Sequence, residues 1–194
     1  MNDWQILEWL TRRRNPVTDW WFGRITLLGN WQVVVIIGIV VAVWLYYKKS
    51  RYLKKWLMTG ISSLVVGLVK NVVGRERPPK DWAIISQEGY SFPSGHAYLA
   101  VAFWGLLIYW TAKAIKNKRL RRGWLVIAIT MASMLAGSRI YVGVHWASDV
   151  MAGLALGGLW LVLMINWRPK SENQRNELGQ KNPNPDDSRN QREN

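Results

Sequence analysis

Five separated apolar runs constrain the fold of this chain more than any other feature of its sequence. Each approaches the roughly 20 residues that an α-helix needs to cross the ~30 Å hydrocarbon core of a bilayer. Because a backbone inside a bilayer must satisfy its own hydrogen bonds, such runs form helices. The sequence therefore predicts an all-α integral membrane protein, a bundle of about five transmembrane helices at residues 31–47, 56–73, 97–112, 123–142 and 150–167.

The loops between the apolar runs predict the orientation of the bundle. Two of them are basic and contain no acidic residue, and by the positive-inside rule both face the cytoplasm. The connections after the second and fourth runs, which include the polar motifs, then lie on the outer side. Since the net charge of +14 comes from clusters beside apolar runs, it indicates a membrane protein and no nucleic-acid partner. The basic residues are Lys48, Lys49, Arg51, Lys54 and Lys55, and then Lys113, Lys116, Lys118, Arg119, Arg121 and Arg122.

Two different segments flank the transmembrane domain, which is predicted at residues 31–167. Residues 1–30 contain no convincing transmembrane helix and are predicted to form an amphipathic interfacial segment, with the basic residues 12–14 outside, against the positive-inside rule. Residues 168–194 are polar and rich in Asn and Pro, so we expect a disordered tail on the cytoplasmic side. The side chains expected to face lipid in the first segment are Trp4, Ile6, Leu7, Trp9 and Leu10.

The chain has no cysteine and only two histidines, which narrows its chemistry. A thiolate nucleophile, a disulfide framework and a cysteine zinc site are excluded. His96 and His145 both lie beside the outer ends of predicted spans, among other polar residues. Ionisable groups at the ends of spans that line a shared cavity are candidates for function.

Two of the polar clusters have features of a phosphate site. Lys70 lies near the outer end of the second run, and Arg77 follows seven residues later. Lys70 as a point charge and Arg77 as a planar fork could bind phosphate. The alternative is that both side chains extend to lipid headgroups. The segment Pro93–His96 reads PSGH directly before the third run, where N–H groups at a helix start can cradle an anion. An ordinary turn and helix cap is the alternative for this tetrapeptide.

The third cluster, SRIYVGVHWASD, is the most informative. His145 precedes Asp149 by four residues at the start of the fifth run, so both are expected on one helical face. A carboxylate beside an imidazole fixes its tautomer and suits a histidine that attacks phosphorus, although a structural His–Asp hydrogen bond is also possible. Because the charge rule places all three clusters on one side, together they indicate phosphoryl transfer.

These motifs resemble the signature of the type 2 phosphatidic acid phosphatase superfamily at every position. The signature reads Lys-x6-Arg-Pro, then Pro-Ser-Gly-His, then Ser-Arg-x5-His-x3-Asp. Many bacterial membrane members of that superfamily have six spans, whereas this chain shows about five, which is the one departure from the pattern. The matching residues are Lys70, Arg77 and Pro78, then Pro93, Ser94, Gly95 and His96, then Ser138, Arg139, His145 and Asp149.

The resemblance implies a lipid phosphatase with its active site at the outer membrane interface. It implies that His145 attacks the phosphate, that Asp149 orients it and that His96 protonates the leaving oxygen, without a metal ion or other cofactor. The implied partners are membrane lipids and a lipid phosphate substrate: phosphatidic acid, phosphatidylglycerol phosphate or undecaprenyl diphosphate. The residues implied to hold the phosphate oxygens are Lys70, Arg77, Ser94, Gly95 and Arg139.

Two other functions remain open for the same residues. A phosphohistidine can pass its phosphoryl group to an acceptor alcohol, which would make the protein a lipid phosphotransferase. A catalytically silent protein that binds lipid phosphate is the non-enzyme alternative, although no motif residue is missing. The superfamily also resembles vanadate-dependent haloperoxidases in its motifs, but those proteins are soluble and this chain has about five spans.

Overall fold

The computed structural model describes residues 1–167, and these residues form helices and loops without a strand. Residues Met1–Met164 make one compact unit. The predicted disordered tail, residues 168–194, lies outside the described residues. The helices are α1 (Asp3–Thr11), α2 (Pro16–Ile25), α3 (Trp31–Tyr47), α4 (Leu53–Val73), α5 (Gly95–Ala114), α6 (Lys118–Tyr141) and α7 (Ala147–Asn166), with short 3-10 helices at Thr26–Gly29 and Lys80–Trp82.

The helices confirm a multi-pass membrane architecture. Within the described part of the chain, α4, α5, α6 and α7 are each long and apolar enough to span a bilayer, and α3 adds a fifth span if it is combined with the preceding segment. That segment, Pro16–Gly29, meets α3 at a bend of 46°. Helix α5 is longer than its apolar run, because Ser94 caps it at one end and its polar flank extends it to Ala114 at the other.

Residues 1–30, predicted to form an amphipathic interfacial segment, contain two short α-helices. Both α1 and α2 begin with a capping box, in which the side chains of Asn2 and Asn15 accept from the third backbone N–H of the helix. Leu7, expected to face lipid, is fully buried. Apolar side chains of these helices pack on the loop between α6 and α7, where Leu10 and Phe22 border a cluster around Val142. Tertiary packing therefore stabilises helices whose sequence has no span-like run.

The three polar motifs lie at one end of the bundle and the basic loops at the other. Helix α4 ends beside the first motif, α5 begins at the second, and the third joins α6 to α7. At the opposite end, the Tyr52 ring lies 4.9 Å from the Trp110 ring, and Trp124 Nε1 donates to Thr111 Oγ1 at 3.0 Å. The bundle thus separates the motifs from the basic loops along its long axis.

Small residues bring α7 close to α5. A Cβ at Gly153 would lie 2.5 Å from the Ser94 carbonyl oxygen, and one at Gly157 would lie 2.7 Å from the Tyr98 carbonyl oxygen. Only a hydrogen fits at these two positions, so the backbones of the two helices can approach closely. The contact places the first turn of α7 beside the start of α5, which is where the second and third motifs meet.

Candidate active site

The paired side chains of His145 and Asp149 lie at the start of α7. His145 Nδ1 is 3.4 Å from Asp149 Oδ2, and both residues are buried. The expectation that both lie on one face of a helix is wrong in detail, because α7 begins only at Ala147 and His145 belongs to the preceding loop. Asp149, in the first helical turn, reaches back and also accepts from the Trp146 N–H at 3.0 Å.

Arg77 lies against the other nitrogen of the imidazole ring. Its Nη1 is 3.3 Å from His145 Nε2 and donates to the Val144 carbonyl oxygen at 2.7 Å. Its remaining donors bind the carbonyl oxygens of Glu88, Gly89 and Tyr90. Backbone acceptors orient the guanidinium without neutralising its charge, so Arg77 presents a cation beside the ring nitrogen that does not face Asp149.

Lys70 reaches the same loop from the last turn of α4. Its Nζ donates to the carbonyl oxygens of Tyr90 at 3.0 Å and Ser91 at 3.2 Å. Arg77 donates to the same Tyr90 oxygen, also at 3.0 Å. The two cations of the first motif therefore converge on one carbonyl group, although seven residues separate them in the chain.

Arg139 supplies a third cation from α6 and is almost completely buried, at 1% exposure. Its Nη1 donates to Thr26 Oγ1 at 2.5 Å and its Nη2 to Gln87 Oε1 at 2.8 Å. Its Nε has no hydrogen-bond partner among the described residues. A buried guanidinium that contacts neutral oxygens and keeps an unused donor is electrostatically unsatisfied, which favours an anionic ligand.

The second motif links the start of α5 to α7. The buried Ser94 donates its N–H to the Asp149 carbonyl oxygen at 3.0 Å, and its Oγ lies 3.4 Å from the Ala97 N–H as a helix cap. Gly95 is the first residue of the helix. Pro93 follows a cis peptide bond and is buried, as is Pro78 of the first motif. These residues place the amino end of α5 beside the His145 pair.

His96 is the second histidine of the site and lies in the first turn of α5. Its Nε2 is 3.3 Å from Asn30 Oδ1, and the residue is half-buried. A Cβ at Gly29 would lie 2.4 Å from His96 Cδ2, so the 3-10 helix packs against the ring. His96 is within electrostatic range of Arg139, His145, Lys70 and Arg77. It therefore belongs to the same cluster of charges.

The environment of His145 favours its neutral form. Burial lowers the pKa of His145 to about 4, and the cations Arg139, Arg77 and Lys70 act in the same direction. The hydrogen bond that His145 donates to Asp149 acts in the opposite direction. A neutral imidazole keeps a lone pair for attack, whereas an imidazolium has none. The site can therefore present a nucleophilic nitrogen beside Arg77 at neutral pH.

Ser138 differs from the other motif residues in facing its own helix. Its Oγ donates to the Leu135 carbonyl oxygen at 2.7 Å, and the side chain is fully buried. The hydroxyl group therefore makes its hydrogen bond within α6 itself and, among the described residues, with no other element of the site. Within residues 1–167, no group of three or more His, Cys, Asp and Glu side chains is arranged to hold a metal ion.

Several residues outside the predicted set also touch the site. The motifs contain no signal for Thr26 and Asn30, which belong to the segment assigned to the interface, or for Gln87 in the loop between α4 and α5. Arg75, which donates to Asp149 at 2.6 Å, occupies a variable position of the first motif. Its position between Lys70 and Arg77 in the sequence was the one available indication that another cation lies nearby.

Comparison with known proteins identifies the family of this chain. Residues 51–173 match the PAP2 superfamily. Phosphatidylglycerophosphatase B of Bacillus subtilis is 31% identical over 143 residues, which cover 71% of this chain and 67% of the relative. An undecaprenyl-diphosphatase of Sulfolobus acidocaldarius is 32% identical over 130 residues, which cover 63% of this chain and 58% of the relative.

A solved structure gives the same result for the fold. The transmembrane PAP2 type phosphatidylglycerolphosphate phosphatase from Bacillus subtilis superimposes with a TM-score of 0.75 at 27% identity, covering 84% of this chain and 82% of that one. Fold and site together define a multi-pass membrane protein of the phosphatase class. The chain belongs to the PAP2 superfamily, as its motifs predicted.

Proposed function

We propose that this protein hydrolyses a lipid phosphate or diphosphate through a phosphohistidine formed on His145, without a metal ion. The observation that carries the proposal is the charge of the site. Arg139 is buried with an unused Nε donor, and Arg77 adjoins the reactive nitrogen while donating to carbonyl oxygens. A phosphate dianion would supply an acceptor for the unused Nε donor of Arg139 and a negative charge beside both guanidinium groups.

The first chemical step transfers the phosphoryl group to the enzyme. The lone pair of His145 Nε2 forms a bond to phosphorus while the bond from phosphorus to the lipid oxygen breaks. Asp149 stabilises the positive charge that develops on the ring through Nδ1. His96 gives a proton to the departing oxygen, so that the lipid leaves as an alcohol, or as a monophosphate if the substrate is a diphosphate.

The second step regenerates the enzyme. Water attacks the phosphorus of the phosphohistidine, the N–P bond breaks, and inorganic phosphate leaves. His96, which has lost its proton in the first step, accepts one from the attacking water. Arg77, Arg139 and Lys70 hold the phosphoryl oxygens in both transition states, where charge develops on them.

Phosphatidylglycerol phosphate is the substrate we propose first. The Bacillus subtilis relative and the superimposed structure both carry the name of a phosphatase for this lipid. An undecaprenyl diphosphate remains the second substrate, because another relative is named for its hydrolysis. Phosphatidylglycerol phosphate would release an alcohol and undecaprenyl diphosphate would release a monophosphate. Comparing the rates of phosphate release from the two lipids therefore shows which one the enzyme prefers.

We also propose that the site faces the extracytoplasmic side and the carboxyl tail the cytoplasm. The basic loops at the far end of the bundle support this orientation. The basic cluster at residues 12–14 is an exception to the charge rule, and its contacts supply a reason. Arg12 pairs with Glu8, Arg13 lies 4.1 Å from the Trp9 ring, and Arg14 donates to the carbonyl oxygens of Trp82 and Tyr141.

Phosphate release by purified protein in detergent and EDTA tests the proposed function. The panel contains phosphatidic acid, phosphatidylglycerol phosphate and undecaprenyl diphosphate, each with wild type and with His145→Ala. We expect release that survives EDTA, is absent in the variant, and is fastest with phosphatidylglycerol phosphate. Release that requires added metal, or that persists in His145→Ala, would contradict the mechanism.

The same assay separates the remaining functions. Addition of glycerol or another acceptor alcohol yields a new phosphate ester if the protein is a phosphotransferase, and free phosphate if it is a hydrolase. Binding of the lipid without release of phosphate from any of the three substrates would indicate a silent binding protein.

A further inference from the structure

Arg75 bridges two carboxylates that lie on different helices. Its Nη1 donates to Asp149 Oδ1 at 2.6 Å, and its Nη2 donates to Asp3 Oδ2 at 2.8 Å. Asp149 is fully buried, whereas the side chains of Arg75 and Asp3 keep 33% and 24% exposure. The guanidinium fork therefore joins the first residue of α1 to the carboxylate that contacts His145.

Asp3 is also bound to the beginning of α7. Its Oδ1 accepts from the Ser148 N–H at 2.9 Å, and its Oδ2 accepts from the Ser148 hydroxyl. An anion beside the first N–H groups of a helix is favourable because these groups have no partner within the helix. The neighbouring Trp4 ring lies 5.9 Å from the Trp146 ring. Helix α1 thus docks on the turn that carries the His145 pair.

The carboxylate of Asp149 has few other constraints on its rotation. Oδ2 is shared between His145 Nδ1 at 3.4 Å and the Trp146 N–H at 3.0 Å. The side-chain partner of Oδ1 is Arg75. Without this bond, a buried oxygen would lose its charged donor, and the carboxylate could turn away from the imidazole ring.

We propose that Asp3 and Arg75 form a positioning pair, in which Asp3 orients the Arg75 fork and Arg75 holds the Asp149 carboxylate against His145. Their effect on catalysis rests on the proposed phosphohistidine mechanism. Neither side chain touches the reacting atoms, so both act through Asp149. The role extends the active site to helix α1, which lies outside the family match at residues 51–173.

Kinetics of the single and double variants give the first test. We expect Arg75→Gln to lower kcat about 10- to 100-fold, the cost of a misplaced catalytic group, and to change KM less than about 3-fold. Asp3→Asn should lower kcat less, and it should have little further effect in the Arg75→Gln background because both act on one contact. Additive effects of the two substitutions, or a loss expressed in KM alone, would overturn the proposal.

Titration of His145 gives a second test that needs no turnover. Since the chain has two histidines, ¹⁵N-histidine labelling yields signals from two rings, and a His96→Gln variant identifies the one from His145. Three cations surround His145: Arg77 after α4, Lys70 on α4 and Arg139 on α6. The other titratable groups near its ring are His96 on α5 and Asp149 on α7. In Arg75→Gln the Asp149 carboxylate turns away, and His145 loses the hydrogen bond that favours its imidazolium form. The titration midpoint should therefore move to lower pH, by about one pH unit.

Matched controls separate positioning from folding. Arg12→Gln and Glu8→Gln remove an exposed ion pair of the same helix α1 and should leave kcat and the midpoint unchanged. Arg75→Lys keeps the charge but cannot bridge two carboxylates with a rigid fork, so it should lose kcat and move the midpoint in the same direction as Arg75→Gln. If Arg75→Gln does not fold, Arg75→Lys and Asp3→Asn carry the test.

The outcomes distinguish this proposal from the proposed function. If wild type releases no phosphate from any lipid, the proposed function fails, and the titration still tests the contact between Arg75 and Asp149. If wild type is active and His145→Ala is not, but Arg75→Gln leaves kcat and the midpoint unchanged, the mechanism stands and the positioning pair is wrong.

Discussion

Gly29 packs so closely on the ring of His96 that a Cβ would lie 2.4 Å from His96 Cδ2 and 3.1 Å from Leu135 Cδ1. The 3-10 helix that carries Gly29 also supplies Thr26, which binds Arg139. A segment with no motif of its own therefore contacts both His96, the proposed acid, and Arg139, which we propose binds phosphate.

Gly29→Ala should displace His96 and impair protonation of the leaving group. We expect kcat for a lipid phosphate to fall about 10- to 100-fold. An aryl phosphate with a leaving group that needs no proton should lose much less, and the ratio of the two rates is the measurement. Gly23→Ala is the control, since no atom lies within 4 Å of its added Cβ. An equal loss on both esters would show that His96 is not the acid.

The loss of activity at low pH should follow the pKa of His145. Because burial lowers this pKa to about 4, the nucleophile stays neutral from pH 7 down to about pH 5, and activity is lost only as pH falls through about 4. The measurement is kcat/KM against pH with two substrates whose phosphate groups ionise at different pH. A decrease in kcat/KM that occurs at the same pH with both substrates reports a group of the enzyme. If that shared decrease is centred near pH 6.5, the expected pKa of His145 is contradicted.

Arg139 should bind the transferring phosphoryl group more strongly than any exposed arginine. Arg139→Gln removes a charge-assisted hydrogen bond of about 1.5–3 kcal/mol, so inhibition by orthovanadate should weaken about 10- to 150-fold. Arg24→Gln, an exposed arginine of α2 that lies 5.5 Å from the Trp20 ring, should leave inhibition unchanged. Equal inhibition of wild type and Arg139→Gln would remove Arg139 from the phosphate site.

Gly153→Ala should destabilise the contact between α5 and α7. The added Cβ would lie 2.5 Å from the Ser94 carbonyl oxygen, and overpacking of this kind costs about 1–3 kcal/mol. We expect a lower Tm in detergent and a lower kcat, because the contact also places Asp149. Gly158→Ala, with no atom within 4 Å, should keep or raise Tm. Equal Tm values for the two variants would mean that the helices can separate at little cost.

Single cysteines should report the orientation of the bundle, since the chain has no cysteine of its own. We expect a membrane-impermeant maleimide to label Ser86→Cys, in the loop at the site, in intact cells. Lys116→Cys, at the opposite end of the bundle, should react only after permeabilisation. The reverse pattern would place the active site in the cytoplasm.

The sequence by itself determined the membrane class, the apolar spans from residue 31 onward and the motif residues of the site. Helix-length apolar runs and the spacing of chemically distinctive side chains are local properties, and both are readable along the chain. The sequence also predicted that the three motifs lie at one end of the bundle, because successive spans place every second loop on the same side.

Only the tertiary structure decided how the amino-terminal residues take part. Asp3 meets Arg75, Thr26 meets Arg139 and Asn30 meets His96 across sequence separations of 72, 113 and 66 residues. No periodicity or charge pattern within one segment encodes such pairs, since they exist only once α1 and the 3-10 helix pack on the bundle. The same holds at the start of α7, where Asp3 accepts from the Ser148 N–H across 145 residues of sequence.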